Sequence, residues 1–148
     1  MAETRAGGGM TANREIITAA ITGSPLGRLL GVVLDHAEVD AVRVRLPFET
    51  RVTTIGDVVH GGAIAALVDV AATAAAWTDV DMSQSPRGTT VGFTVTFLVA
   101  ARASDLVAHA RVVRRGGSLV TIEVDVRDGG DASVARALVT YKLGGGRS

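Results

Sequence analysis

The chain has 148 residues, 47% of them hydrophobic but only 3% aromatic, with 15 acidic and 15 basic side chains. That length suits one domain with an aliphatic core, and zero net charge leaves no electrostatic footprint for nucleic acid. The absence of cysteine excludes disulfides, thiolate nucleophiles and Cys-ligated zinc, and it fits a cytoplasmic protein.

Residues 1–12 are small, polar and glycine-rich, without the basic patch and apolar stretch of a signal peptide, and are expected to form a disordered tail. Residues 13–143 read as the single folded domain, and 144–148 as a frayed tail. A short helix is predicted over 13–21, with Asn13 as its N-cap and Glu15 in its first turn, ended by Ser24-Pro25. Residues 31–38 and 41–46 form a strand pair; in the second, Val42, Val44 and Leu46 alternate with Arg43 and Arg45. Residues 47–59 are a loop containing Thr53, Thr54, Gly56 and Asp57.

From Gly61 to about Thr78 the sequence predicts a helix that is apolar almost all round, interrupted by Asp69 and Thr73. Such a helix is wrapped by protein on most sides. An acid near its middle is expensive in lipid, so a soluble buried helix is expected rather than a membrane span.

Four strands follow. Val91, Phe93, Val95, Phe97 and Val99 are expected on one face opposite Thr94 and Thr96. The same alternation runs through Leu106–Val112, Val120–Arg127 and Ala135–Lys142, joined by short turns at Arg115-Gly116-Gly117 and Asp128-Gly129-Gly130-Asp131. The element order predicts an α+β layer, one long helix on the concave face of an antiparallel sheet of five to six strands.

Two features in the helix point to carbonyl chemistry. Gly61 and Gly62 stand at its start, where free N–H groups and the positive dipole end can hold an oxyanion. Asp69 is a carboxylate in an apolar helix, which is costly unless it has a task or a partner. No His, Asp and Glu cluster has metal-ligand spacing, so no metal is expected; His36 and His109 read as ordinary strand residues.

The segment Val58-Val59-His60-Gly61-Gly62, with Asp69 nine residues after the histidine, resembles the acyl-CoA thioesterases of the phenylacetate-degradation type, a branch of the hotdog fold. The strand Thr89-Thr90-Val91-Gly92-Phe93-Thr94-Val95-Thr96-Phe97-Leu98 resembles the strand after that family's helix, and Arg114-Arg115-Gly116-Gly117-Ser118 its basic turn. The likeness covers roughly residues 26–143. It implies hydrolysis of an acyl-CoA, with a medium-chain or aryl acyl group, to free acid and CoA. It needs no cofactor beyond the coenzyme A of the substrate.

Asp69 is then the general base or nucleophile, and Gly61 and Gly62 polarise the carbonyl. Thr73, one turn beyond Asp69, holds the acid or the water, and Thr90 matches a hydroxyl that assists the acid in some relatives. Val91 and Gly117 are placed with Thr90 beside the substrate. Family members usually carry Asn or Gln six residues before the histidine; here that position is Thr54, whose hydroxyl gives one donor where an amide gives two. Arg114 and Arg115 either pair with CoA phosphates or form a solvated hairpin tip.

Along a helix, nine residues rise about 13 Å, and Gly62 stays about 10 Å from Asp69. His60 and Asp69 of one chain therefore cannot touch, and His60 caps or orients the loop rather than taking a proton. The electrophile-holding amide and the acid must come from two chains. A homodimer with shared sites follows, and the family adds a tetramer. A non-catalytic acyl-CoA binding or sensing hotdog protein is the alternative, but too few residues precede the sheet for the DNA-binding segment such regulators carry. A hotdog dehydratase uses a different His and acid arrangement.

Overall fold

The computed structural model describes residues 13–144, so the expected tails at 1–12 and 145–148 lie outside the described residues. Six strands run antiparallel in the order β1-β2-β4-β5-β6-β3: β1 Val33–Glu38, β2 Ala41–Leu46, β3 Arg87–Phe97, β4 Leu106–Arg115, β5 Leu119–Arg127 and β6 Ser133–Gly144. Gly144 pairs with Arg87, so the last strand takes in one residue expected in the frayed tail. A short helix α1, Pro25–Leu30, precedes the sheet, and the long helix α2, Gly61–Trp77, lies across it. This is the arrangement that the hotdog resemblance implies. Among the described residues no helix is long and apolar enough to cross a membrane.

The alternation of the strands decides the layers. Val42, Val44, Leu46, Leu106, Ala108, Val120, Ile122, Val124, Val126 and Val139 are buried beneath α2. Arg43, His109, Asp125 and Arg136 are cross-strand neighbours on the opposite face. The helix contributes Ile64, Leu67 and Val68, then Ala71, Ala72, Ala74, Ala75 and Ala76, each alanine fully buried. Alanines allow the helix axis to sit close to the sheet, and close packing replaces the missing aromatic bulk.

The helix is not wrapped all round. Ala65, Ala66, Asp69, Thr73 and Trp77 are half-buried and Gly62 is exposed, a stripe at helical spacing that the chain's own sheet leaves partly open.

The C-terminal end of α2 is closed by side chains from distant sequence. Arg115 donates to the carbonyls of Ala75 and Ala76 at 3.3 and 3.0 Å and pairs with Asp40 at 2.7 Å. Thr78, buried, donates to Ala75 O and accepts from the Asp40 amide. Asn13 donates to the carbonyls of Thr78, at 2.7 Å, and of Trp77 and Val80. These donors satisfy carbonyls that a helix end leaves without intrahelical partners, and the Arg115 cation suits the negative end of the dipole.

Asn13 thus acts at the end of α2, whereas the expected role was N-cap of its own segment. That segment is helical at 13–16 and continues as a π-helical turn, Ile17–Thr22. Ser24 does more than end it: its hydroxyl accepts from Gly27 N and caps α1, with Pro25 at the first helical position.

Strand β3 departs from simple alternation. A bulge between Thr90 and Gly92 inserts Val91 into the ladder with β6. Thr90, opposite Tyr141, and Phe93, opposite Val139, both face α2 as a result. Val91, expected on that face, stands instead on the outward side near Leu138 and Thr140. The far side of β3 has no strand beside it among the described residues, and its apolar residues are open: Phe93 is 41% exposed and Phe97 52%, with Leu98 and Val99 beyond them similarly open.

Candidate active site

The start of α2 is built by His60. Its backbone is extended, φ −63° and ψ 133°, its carbonyl accepts from Ala63 N and Ile64 N, and its Nδ1 accepts from Gly62 N at 2.8 Å. An N-cap whose side chain accepts from the second helical amide stabilises a helix by about 1 kcal/mol. It also fixes the tautomer, because an accepting Nδ1 leaves the proton on Nε2.

Of the first helical amides, Gly61 N–H alone is left without an acceptor among the described residues. The expectation that Gly61 and Gly62 both offer donors is therefore corrected: the Gly62 amide is taken by the His60 cap. Gly61 opens onto a cleft of about 350 Å³ shared with Thr54, Ile64, Phe97, Leu98 and Val99. A Cβ on Gly61 would lie 3.4 Å from the Phe97 ring, so its absence keeps this approach open. Thr54 stands in the same cleft, and its side chain forms no hydrogen bond among the described residues.

Asp69 lies eight residues further along, a rise of about 12 Å. It is half-buried, and Thr90 Oγ1 donates to its Oδ1 at 2.6 Å. This short charge-assisted bond fixes the carboxylate rotamer and leaves the second oxygen without a protein donor. The β3 bulge makes the contact possible, since it aims Thr90 at the helix while Phe93, opposite Val139, stays on the same face at the open edge. Thr73 is on the open stripe one turn on but makes no hydrogen bond to Asp69. The hydroxyl that anchors the acid is Thr90.

Beyond Thr73 the stripe ends at Trp77, whose Nε1 donates to Tyr141 Oη at 2.8 Å. Tyr141 is 4% exposed. Burial raises its pKa, the Trp77 bond works against that, and the Asp69 charge adds to it. Tyr141 escaped the sequence reading, where it was one more inward-facing residue of a strand. The signal was its phenol, the single tyrosine of the chain, on the face turned toward Asp69.

The basic turn divides. Arg115 is committed to Asp40 and the end of α2, about 24 Å along the helix from Gly61, and is neither a free phosphate ligand nor a solvated tip. Arg114 is exposed, after a second bulge between Val112 and Arg114. Gly117 is exposed at the hairpin tip, with nothing within 4 Å of where a Cβ would stand. Val91 lies away from Asp69, on the outward face. Among the described residues no three His, Asp or Glu side chains gather closely enough to hold a metal ion.

A family model described as the thioesterase superfamily matches residues 56–135, more than half the chain and the whole stretch from the Gly61 amide through Asp69 and Thr90. The chain belongs to the thioesterase superfamily. A protein of Saccharolobus solfataricus named as an esterase is 27% identical over 112 residues, 76% of this chain and 73% of that protein. The solved structure of zebrafish thioesterase superfamily member 2 is 27% identical, covers 91% of this chain and 98% of its own, and superimposes with a TM-score of 0.76. A thioesterase family protein from Silicibacter pomeroyi matches with a TM-score of 0.83 at 21% identity, over 90% of this chain and 99% of its own, a likeness of fold.

Proposed function

We propose that this thioesterase-superfamily protein hydrolyses acyl-CoA thioesters in sites shared between two copies of the chain. The observation that carries the reading is the combination of one helix-start amide free to bind an oxyanion, Gly61, with one hydroxyl-anchored carboxylate, Asp69, on the same helix.

In this reading the free oxygen of Asp69 takes a proton from a water molecule as that water attacks the thioester carbon. The carbonyl electrons move onto oxygen, and the anion is held by the Gly61 amide of the second copy at its positive helix end. Collapse of the tetrahedral intermediate breaks the C–S bond, and the proton held by Asp69 passes to the departing thiolate. The products are free acid and CoA. Thr90 keeps the carboxylate aimed, and Thr54, in the cleft with Gly61, donates its hydroxyl to the water or the carbonyl.

The separation of about 12 Å between Gly61 and Asp69 supports the two-chain site. The open edge of β3 supports it as well, since a strand edge flanked by Phe93, Phe97, Leu98 and Val99 is a surface that proteins cover. Arg114 is the remaining candidate for CoA phosphate at the basic turn.

The test is hydrolysis of a panel of medium-chain and aryl acyl-CoAs by the wild type and by Asp69→Ala. Loss of at least about 100-fold in kcat is expected on removal of the base. Unchanged turnover in the variant rules out the assignment of Asp69, and tight acyl-CoA binding without turnover by the wild type would make the protein a binding module.

A further inference from the structure

Tyr141 Oη accepts the Trp77 indole N–H, so its own proton points elsewhere, yet its O–H has no acceptor among the described residues. A buried donor left without an acceptor is costly. The surroundings show which side it serves. Tyr141 is the direct cross-strand partner of Thr90, which holds Asp69. Trp77 ends the open helix stripe, which runs past Asp69 and Thr73 before reaching it.

Helical side chains lean toward the N-terminus, and the phenol that Trp77 meets stands beside the hydroxyl that holds the acid and feels the acid's charge. Gly88 passes directly over the phenol oxygen, where a Cβ would collide with Oη. The strip leading away from Asp69 therefore ends on a hydroxyl.

We propose that Tyr141 is a specificity-determining residue: its O–H donates to a neutral oxygen on the acyl group, such as a ketone, some way beyond the thioester. The protein then prefers an oxo-acyl group to a plain hydrocarbon one of the same length. A carboxylate in that place is disfavoured, because the Asp69 charge faces the same strip. A tyrosine phenol is protonated at neutral pH, and burial raises its pKa further, so Tyr141 is a donor there. This proposal rests on the proposed acyl-CoA hydrolysis and extends it to the acyl group.

The experiment compares octanoyl-CoA with 5-, 6- and 7-oxooctanoyl-CoA, for the wild type, Tyr141→Phe and Gly88→Ala. In the wild type one ketone position is expected to exceed octanoyl-CoA in kcat/KM by about three- to tenfold, the worth of one neutral hydrogen bond. In Tyr141→Phe that ratio falls to about one, and in Gly88→Ala, where the new methyl displaces the phenol, it shrinks in the same direction.

A ratio retained in Tyr141→Phe overturns the proposal. So does a wild type that favours no ketone position, a result that stands even if neither variant folds. Hydrolysis of octanoyl-CoA without any oxo preference defeats this inference alone, whereas no hydrolysis of any acyl-CoA defeats the parent reading with it.

Discussion

Replacing Gly61 by proline deletes the one free amide at the start of α2 and little else. Proline is favoured at the first helical position, where its missing N–H has no intrahelical acceptor. His60 before it is already extended, φ −63° and ψ 133°, the conformation a residue preceding proline adopts. The nearest obstacle is the Phe97 ring, 3.4 Å from a new Cβ. Gly62→Pro would be a poorer probe, because it destroys the His60 cap.

Loss of one oxyanion donor costs about 3–4 kcal/mol, or roughly 10²–10³ in kcat. Gly61→Pro and Asp69→Ala are then each nearly inactive. When equal amounts are unfolded and refolded together, half the dimers are mixed. Each mixed dimer has one site with both lesions and one with none, so about a quarter of wild-type activity returns. Thiol release reports it directly, because the protein itself contains no cysteine. Activity no greater than that of the two parent variants would refute the shared site.

Arg115→Ala removes an ion pair to Asp40 and two bonds to helix-end carbonyls. It should lower stability by about 2–3 kcal/mol, seen as a melting temperature lower by roughly 4–10 °C. Arg114→Ala should leave the melting temperature nearly unchanged and raise KM for acyl-CoA about three- to tenfold if this side chain meets phosphate, and an unchanged KM removes it from the site. Thr54→Asn adds a donor and an acceptor in the Gly61 cleft and is expected to preserve or raise kcat, while a collapse would place the water-orienting role elsewhere. His109 has its pKa lowered by burial and then by Arg43 and Arg127. The unfolded chain therefore binds this proton more readily than the folded one. His109 stabilises fully above pH about 6.5, and that contribution declines as acid passes below this value toward the folded pKa. Thermal melts of His109→Gln should flatten the fall in stability between neutral pH and about pH 5.5, and a parallel decline would show the proton to be taken up elsewhere.

Much of the fold is written in periodicity. The alternating valines and alanines of β4, β5 and β6 face the helix as expected, because one side of the sheet is solvated and a slip of one residue would bury Arg43, Asp125 or Arg136. The helix boundary at Gly61 and the capping role of His60 were legible for a local reason, since an N-cap acts within its own turn. What depended on non-local geometry was not legible. Which of two adjacent glycines keeps a free amide is set by the rotamer of His60. Which hydroxyl reaches Asp69 is set by the Val91 bulge, invisible in a run of alternating apolar residues. Arg115 and Asn13 could not be assigned to the end of α2 before the sheet was closed around it.

These non-local contacts bear on the chemistry through rigidity. Five fully buried alanines fix α2 against the sheet over its second half, His60 closes one end, and Arg115, Thr78 and Asn13 close the other. A helix so held cannot bend to bring Gly61 and Asp69 together, since interior packing leaves no room for the displaced side chains. Nor can Asp69 swing across, because Thr90 anchors its carboxylate at 2.6 Å. Two groups that meet one carbonyl in the proposed mechanism are thus pinned about 12 Å apart along the same axis. On the proposed mechanism, a second chain docked on the open edge of β3 would resolve the conflict without motion, each helix lending its amide to the other's acid. The same rigidity predicts that shortening the spacing by deleting one turn of α2 destroys activity rather than creating a one-chain enzyme, because the amide would still point along the helix axis and the carboxylate away from it.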